Sequence, residues 1–156
     1  MNIKGEIMLS KILMPTDGSE IAQKAAKYGV DLAKQLNASV IIMSVIDHRF
    51  FVSRAVPAEL TAMDMIEPIG DYLQEAAEKY TKDIVKLCEE KSVQSTVVIK
   101  TGHPVEEIIE EAEKSNAGLI VMGSHGQSAL LAALLGSVTY GVLHKQTKIP
   151  VLLVKR

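Results

Sequence analysis

Short apolar runs of strand length alternate with longer stretches of helical periodicity along the whole chain. The five runs with the composition of buried strands are residues 11–15, 40–46, 94–99, 119–122 and 151–154. Between them, apolar residues recur every three or four positions, which is typical of amphipathic helices. Strands that are joined through helices pair in parallel, so the alternation predicts an α/β fold with a parallel sheet and helices on both faces.

The predicted helices have definite starts and stops. The first begins after Ser19, a favourable N-cap residue, and ends at Asn37. The second is predicted over about 70–91, the third begins at Pro104, and the last covers about 137–146. One side of the third helix carries five glutamates, which we interpret as a solvated face rather than as acid–base groups. They are Glu106, Glu107, Glu110, Glu111 and Glu113.

Composition excludes several classes of protein. A chain of 156 residues is the size of one domain with its own core. The formal charge of −2 lacks the basic excess of nucleic-acid-binding proteins, and no run suits a membrane span or a signal peptide. The single cysteine, Cys88, falls on an apolar helix face and is expected to be a buried, inert thiol. We therefore expect a cytoplasmic protein that binds neither nucleic acid nor membranes.

Residues 48–69 interrupt the alternation. Both phenylalanines, Phe50 and Phe51, lie in this segment together with Pro57 and Pro68. The segment is predicted to be a variable insertion, a long loop with a short helix. Such an insertion serves either as a lid or interface element or as a plain surface connection, and the sequence favours neither.

Glycines surround the end of the fourth predicted strand and the start of the last helix. Parallel sheets bind ligands beyond the carboxyl ends of their strands, where the winding reverses. Gly123 and Gly126 follow that strand and let phosphate oxygens approach backbone amides, while Gly136 and Ser137 begin a helix whose N-terminus attracts anions. Ser137 is suited to cap the helix, to bind a phosphate oxygen, or to do both. The segment predicts a phosphate-binding site with a short helix or lid between its halves.

The turn after the first strand supplies a second candidate surface. Asp17 is suited to accept hydrogen bonds from ribose hydroxyls or to hold a divalent cation against phosphates. Its alternative role is that of a turn residue at the start of the first helix, and that role also suits Thr16 and Ser19. Beside a phosphate site, we favour the ligand role.

Other nucleotide and metal motifs are absent from the sequence. There is no G-x-x-x-x-G-K-S/T loop, no G-x-G-x-x-G turn after a strand, and no G-x-S-x-G elbow. The histidines lie far apart, without the spacing of a zinc site. They are His48, His103, His125 and His144.

The pattern Gly123-x2-Gly126-x9-Gly136-Ser137 resembles the G-2x-G-9x-G-S/T signature of ATP-binding universal stress proteins. Other segments resemble that family in the same order, namely Lys11–Ser19, Val45–Asp47, Gly102–Pro104 and Pro150–Val154. The resemblance implies that residues 1–156 form a single universal stress protein domain with the variable insertion at 48–69. It implies an open, twisted, five-stranded parallel sheet in the order 3-2-1-4-5, Rossmann-like and similar to the adenine nucleotide α-hydrolases.

The resemblance also implies a nucleotide site. Its implied residues are Pro15, Thr16, Asp17, Val45, Met122, Gly123, His125, Gly126, Gly136, Ser137 and Val138. Many members carry Lys or Arg directly after the second glycine, whereas this chain has Gln127. A triphosphate would then depend on backbone amides, a helix terminus and Mg²⁺ or Mn²⁺, for which Asp17 is the candidate ligand.

The resemblance implies a homodimer as well, and the last strand offers a physical reason for one. Val151–Val154 is apolar and would be an edge strand with Lys155 and Arg156 beside it, and such an edge favours pairing with another copy.

These expectations lead to an ATP-binding regulatory or stress-response protein with at most slow hydrolysis, because no general base or other catalytic residue is identified. One alternative is an enzyme of the adenine-nucleotide α-hydrolase group, whose usual loops after strand one are missing here. A second is an interaction protein that binds AMP or a cyclic nucleotide. The sequence names no protein partner.

Overall fold

The structure, a computed structural model, describes residues 9–49, 62–126, 135–145 and 148–155, and of residues 62–68 the backbone only. Within these ranges the chain forms five strands and four long helices. In chain order they are β1 (Lys11–Pro15), α1 (Glu20–Leu36), β2 (Ser39–Ile46), α2 (Ala62–Glu90), β3 (Ser95–Thr101), α3 (Pro104–Lys114), β4 (Leu119–Gly123), α4 (Ser137–His144) and β5 (Val151–Val154).

All five strands pair in parallel, in the order β3-β2-β1-β4-β5. β1 is the central strand, and Leu13 lies opposite Ile41 of β2 on one side and Ile120 of β4 on the other. The chain therefore winds outward from β1 to β3, returns to the other side of β1, and continues to β5. The predicted α/β fold and its strand order are confirmed.

The core has two halves, one on each face of the sheet. α1 and α2 cover the face that presents Ile12, Val40 and Val121. α3 and α4 cover the opposite face, where Leu13 and Ile120 are buried. Alternate residues of each strand point to opposite faces, so nearly continuous apolar runs such as β2 are buried on both.

Local signals at the helix ends agree with the sequence. Ser19 is the N-cap of α1, where its hydroxyl accepts a hydrogen bond of 3.2 Å from the Ala22 amide. Asn37 ends the helix in the left-handed conformation with φ 52°.

Cys88 is fully buried on α2. Burial raises the pKa of its thiol, and a hydrogen bond with Ser95 lowers that pKa by a smaller amount. The predicted buried thiol is confirmed.

The second helix is longer than predicted. α2 begins at Ala62 rather than near Gly70, so the predicted start of this helix is wrong and residues 62–69 are helical. The variable insertion over 48–69 stays a prediction. Pro68 suggests a break, but a proline removes one helical hydrogen bond, and the long remainder of α2 compensates by packing on the sheet. Residues 50–61 of the predicted insertion lie outside the described part of the chain.

No helix in the described ranges combines the length and the hydropathy that a membrane crossing requires.

The buried face of β2 yields a stability prediction. Ile42 is fully buried, so Ile42→Ala should lower the free energy of unfolding by about 2–5 kcal/mol through lost contacts and a residual cavity. Val97→Ala on β3 is the control, because Val97 is 41% exposed and should cost far less. Urea unfolding at fixed protein concentration measures both variants. Equal losses would contradict the assigned core.

Candidate functional site

A cleft opens at the carboxyl ends of β1, β2 and β4. It encloses about 670 Å³, part of which is open to solvent, and α3 and the start of α4 complete its wall. The winding of the sheet reverses between β1 and β4, so the cleft lies where parallel sheets bind ligands.

The cleft brings together every residue of the implied nucleotide site. These are Pro15, Thr16, Asp17, Val45, Met122, Gly123, His125, Gly126, Gly136, Ser137 and Val138. They come from three strand ends, the turn after β4 and one helix start, and they are spread over residues 15–138 of the chain. Whether they bind a nucleotide stays a prediction.

Sequence reasoning missed five further residues of the wall, which are Ala22, Met43, Pro104, Ile108 and Thr139. Some of them had a signal. Met43 precedes Val45 by two positions, and residues two apart on a strand share a face. Ile108 lies on the apolar stripe of α3, one turn after Pro104. The approach of α3 to the strand ends, by contrast, is a tertiary feature.

The turn after β1 is tightly held. The Thr16 hydroxyl accepts a hydrogen bond of 3.2 Å from the Gly18 amide, and Asp17 Oδ1 accepts one of 3.0 Å from the Ser19 amide. Gly18 has a φ of 76°, and a Cβ at this position would collide with the ring of Tyr80. The sequence offered two alternative roles for Asp17, as a turn residue and as a ligand contact. One of its carboxylate oxygens therefore has the turn role.

The second oxygen of Asp17 faces the glycine-containing segment after β4. A Cβ added to Gly126 would collide with Asp17 Oδ2. Asp17 is thus a turn residue through Oδ1 while its Oδ2 lies against Gly126, inside the cleft. The two candidate surfaces of the sequence meet at this carboxylate.

The glycines are required by close contacts rather than by unusual backbone angles. A Cβ at Gly123 would lie 2.7 Å from Ile21 Cγ2, and one at Gly136 would lie 3.1 Å from His125 Cα and 3.3 Å from the Gly126 nitrogen. None of the three signature glycines has a φ in the left-handed region. Their common property is that another part of the chain passes where a side chain would be.

Two hydrogen bonds tie the start of α4 to the end of β4. The Gly136 amide donates to the Ser124 carbonyl at 2.8 Å, and the buried Thr139 hydroxyl donates to the Gly123 carbonyl at 2.9 Å. The helix start and the strand end therefore lie side by side. The expected lid or short helix between them falls on residues 127–134, outside the described ranges, and so does Gln127.

The predicted capping role of Ser137 is wrong. The N-cap of α4 is Gly136, and Ser137 is the first helical residue, with an exposed side chain. An N-cap acceptor must precede the helix, and the chain enters α4 one residue earlier than that role requires. Since a glycine N-cap has no side chain, it supplies no side-chain acceptor to the first-turn amides.

His125 is oriented by its neighbour. Its Nδ1 lies 2.9 Å from the hydroxyl of Ser124, which is 2% exposed. This contact fixes the ring beside the cleft.

The charge of the cleft is low. Among the described lining residues there is one carboxylate, Asp17, and neither lysine nor arginine. The described part of the chain holds no group of three or more His, Cys, Asp or Glu side chains able to bind a metal ion. A divalent cation in this cleft would need oxygens from the ligand itself in addition to Asp17.

The sequence predicted that the acidic face of α3 is solvated throughout. In the structure, part of this face is buried. Lys100 of β3 pairs with Glu107 and Glu111, both at 3.3 Å, and Glu111 is only 8% exposed. Burial lowers the pKa of Lys100, but the bonds to both glutamates outweigh it and raise the pKa above its usual value. These glutamates are not fully solvated because β3 places the ammonium group of Lys100 beneath them. The pairs fasten α3, which carries Ile108, to the sheet.

Comparison with known proteins identifies similar chains. The model of the universal stress protein family matches residues 8–155. Universal stress protein MJ0531 of Methanocaldococcus jannaschii is 40% identical over 152 residues, which cover 97% of this chain and 85% of that protein. Universal stress protein MJ0577 of the same organism is 38% identical over 159 residues, 96% of this chain and 97% of that protein.

Solved structures agree with these sequence matches. The structure of MJ0577 superposes with a TM-score of 0.78 at 36% identity and covers 96% of this chain and 97% of that chain. A universal stress protein in complex with cAMP superposes with a TM-score of 0.67, over 93% of this chain and 96% of that chain. At 22% identity, this second likeness shows a shared fold alone.

The contact between β4 and α4 leads to a prediction. Thr139→Val keeps the shape of the side chain but leaves the buried Gly123 carbonyl without its donor, so it should lower the free energy of unfolding by roughly 1–3 kcal/mol. Thr101→Val, at an exposed position of β3, is the matched control. Thermal or urea unfolding of both variants measures the difference. Unchanged stability of Thr139→Val would show that this hydrogen bond does not hold α4.

Proposed function

Because this chain belongs to the universal stress protein family, we propose that its cleft binds ATP and that the protein is a nucleotide-dependent regulatory or stress-response protein. One observation carries the proposal. The glycine-containing strand end, the N-terminus of α4 and the Asp17 carboxylate converge in one cleft where the sheet reverses. A cytoplasmic location is part of the proposal.

The inner part of the cleft suits an adenine ring. Its walls include Met43, Val45, Ile108, Met122 and Val138, whose apolar side chains are able to sandwich a planar base. The pairing of β2 with β1 ends at Met43, so the side of the Val45 backbone that faces β1 is available to read the edge of the base. Pro15, Thr16 and Asp17 form the next part of the wall, and we propose that they contact the ribose.

The outer part of the cleft suits phosphates. Gly123, Gly126 and Gly136 bring backbone close to the cleft, and α4 points its positive end at the same place. His125 and Ser137 add polar side chains beside these amides.

A divalent cation fits this arrangement. Because no lysine or arginine lines the described part of the cleft, Mg²⁺ or Mn²⁺ would neutralise the phosphates, with Asp17 as the protein ligand. Asp17 Oδ2 lies against Gly126 inside the cleft, so we propose it as the oxygen that would contact the cation.

We propose little or no ATP hydrolysis. A general base must be aimed at an attacking water, and the carboxylate of Asp17 is instead held between a turn amide and the Gly126 backbone. His125 is tied to Ser124. An enzyme of the adenine-nucleotide α-hydrolase group is the alternative, and rapid, repeated release of phosphate or pyrophosphate from ATP would favour it.

A second candidate ligand is AMP or a cyclic nucleotide. The low positive charge of the cleft favours it, because a mononucleotide carries less charge than ATP. A universal stress protein of the same fold has been solved in complex with cAMP.

We also propose a homodimer that forms through β5. This strand pairs with β4 on one side and is the edge of the sheet on the other, and all four of its residues are partly exposed. An apolar, unpaired edge favours association with a second copy.

Calorimetric titration tests the ligand. We expect saturable binding of ATP that Mg²⁺ strengthens, and weaker binding of AMP and cAMP. Gly126→Ala should weaken ATP binding by about tenfold or more, equivalent to ~1.4 kcal/mol, because its methyl group displaces Asp17 Oδ2. Asp17→Asn should remove most of the effect of Mg²⁺.

The matched control is Gly70→Ala on α2, where an added Cβ meets its nearest neighbour, His48 Cε1, at an ordinary 3.4 Å. It should bind ATP as the unmodified chain does. If Gly126→Ala binds equally well while folded, the assigned site is wrong. If AMP or cAMP binds more tightly than ATP, the second candidate replaces the first.

Light scattering tests the dimer. Leu153→Lys places a charge on β5 and should shift the protein toward monomer or aggregate, because the apolar edge no longer pairs. Val97→Lys, on the opposite edge strand β3, is the control and should leave the mass unchanged. A dimeric mass for folded Leu153→Lys would contradict the proposed interface.

A further inference from the structure

The turn that carries Asp17 packs against a side chain of α2. A Cβ added to Gly18 would collide with three ring carbons of Tyr80, which are Cδ1, Cε1 and Cζ. The ring of Tyr80 therefore lies directly against the Gly18 backbone. Gly18 follows Asp17, whose Oδ2 lies against Gly126 in the cleft. A residue that does not line the cleft thus contacts the neighbour of the carboxylate that we propose as the ligand of a divalent cation.

The position of Tyr80 is fixed by the packing of α2 on the sheet. Ala77 and Ile84, about one helical turn before and after Tyr80, are both buried. The adjacent Thr81 is buried as well, and its hydroxyl donates a hydrogen bond of 2.9 Å to the Ala77 carbonyl. Tyr80, which is half-buried, is therefore presented to the turn by a firmly seated part of the helix.

The turn itself has reasons to need this support. Its hydrogen bonds from the Gly18 amide to Thr16 Oγ1 and from the Ser19 amide to Asp17 Oδ1 are local, and Gly18 is in the left-handed region with φ 76°. Glycine has more conformational freedom than any other residue, so Gly18 does not fix this conformation by itself. Two cavities border Tyr80, one that Thr16 also lines and one that Asp17 also lines. With open space beside the turn, its position depends on the ring that fills the gap between Gly18 and α2.

We propose that Tyr80 is a positioning residue for the cleft. Its ring holds the turn through Gly18, and the turn keeps the Asp17 carboxylate directed at the place of the cation. Tyr80 acts without contacting the ligand. The effect on cation binding rests on the proposed function, whereas the hold on the turn does not.

Hydrogen exchange in the free protein tests the hold on the turn. The reporter is the Ser19 amide, which donates to Asp17 Oδ1 at 3.0 Å. Tyr80→Ala should speed its exchange by about tenfold or more relative to that of the Ile42 amide in the buried strand β2, because local opening of the turn becomes easier without the ring. Tyr72→Ala is the matched control, because Tyr72 is on the same helix but is 68% exposed. It should leave the relative exchange unchanged.

Further variants separate the ring from the rest of the side chain. Tyr80→Phe keeps the ring over Gly18 and should retain most of the protection of the Ser19 amide. If Tyr80→Ala does not fold, Tyr80→Leu serves instead, because it keeps apolar volume on α2 but removes the ring. Unchanged relative exchange in the folded Ala or Leu variant would overturn the proposal, and so would a loss in Tyr80→Phe as large as that in Tyr80→Ala.

A double-mutant cycle tests the contact between the ring and the turn. Gly18→Ala introduces the methyl group that collides with Tyr80. In urea unfolding, this substitution should therefore destabilise the unmodified chain more than it destabilises Tyr80→Ala, where the collision is absent. Equal losses in the two backgrounds would show that the ring does not hold Gly18.

Calorimetry tests the consequence for the cleft. The factor by which Mg²⁺ strengthens ATP binding should fall about threefold or more in Tyr80→Ala, because the Asp17 carboxylate is no longer held in place. It should be largely kept in Tyr80→Phe and Tyr72→Ala. A role of Tyr80 in stability alone would leave this factor unchanged, since both titrations are made on folded protein.

The two proposals fail in different ways. If the unmodified chain does not bind ATP, the nucleotide function is refuted, and exchange of the Ser19 amide still decides whether Tyr80 holds the turn. If ATP binds and the effect of Mg²⁺ is the same in folded Tyr80→Ala as in the unmodified chain, the positioning role of Tyr80 alone is refuted.

Discussion

The central position of β1 is the constraint on which the rest of this structure depends. β1 pairs with β2 on one side and with β4 on the other. After the carboxyl end of β1 the chain therefore continues toward β2 and β3, and it later crosses back to the other side of β1 to form β4. The strand ends separate at this point, and α3 and the start of α4 border the space between them. The cleft is the result, and most of the residues that line it lie at strand ends, at helix starts or in the turns beside them.

Close packing at the glycines then shapes the cleft. An added Cβ would collide with the Ile21 side chain at Gly123 and with Asp17 Oδ2 at Gly126, and at Gly136 it would crowd the backbone of residues 125–126. Asp17 is confined between the Ser19 amide and Gly126 in the same way. A carboxylate held so firmly is well placed to bind and poorly placed to take part in proton transfer. This geometry underlies our proposal of a nucleotide-binding protein with little hydrolysis.

Part of this site could be predicted because its cause is local. A turn of small residues after an apolar run marks a strand end, and glycines mark places of close approach, so Asp17, Gly123 and Gly126 were identified in sequence. The failures have a different cause. Glu111 looked solvated until β3 brought Lys100 beneath it, and Thr139 gave no sign that it would bond to Gly123. Pro68 suggested a loop, but packing of α2 on the sheet outweighed one lost hydrogen bond.

By itself, the sequence determined the order of strands and helices, the caps of α1, the buried thiol of Cys88 and the segments that surround the cleft. These features depend on hydrophobic periodicity and on the backbone preferences of neighbouring residues, which act over a few positions. Only the tertiary structure decided that Asp17 lies against Gly126, that Thr139 bonds to the Gly123 carbonyl and that Lys100 pairs with α3. Such contacts join residues far apart in the chain. They depend on how helices lie across the sheet, and local sequence does not specify that.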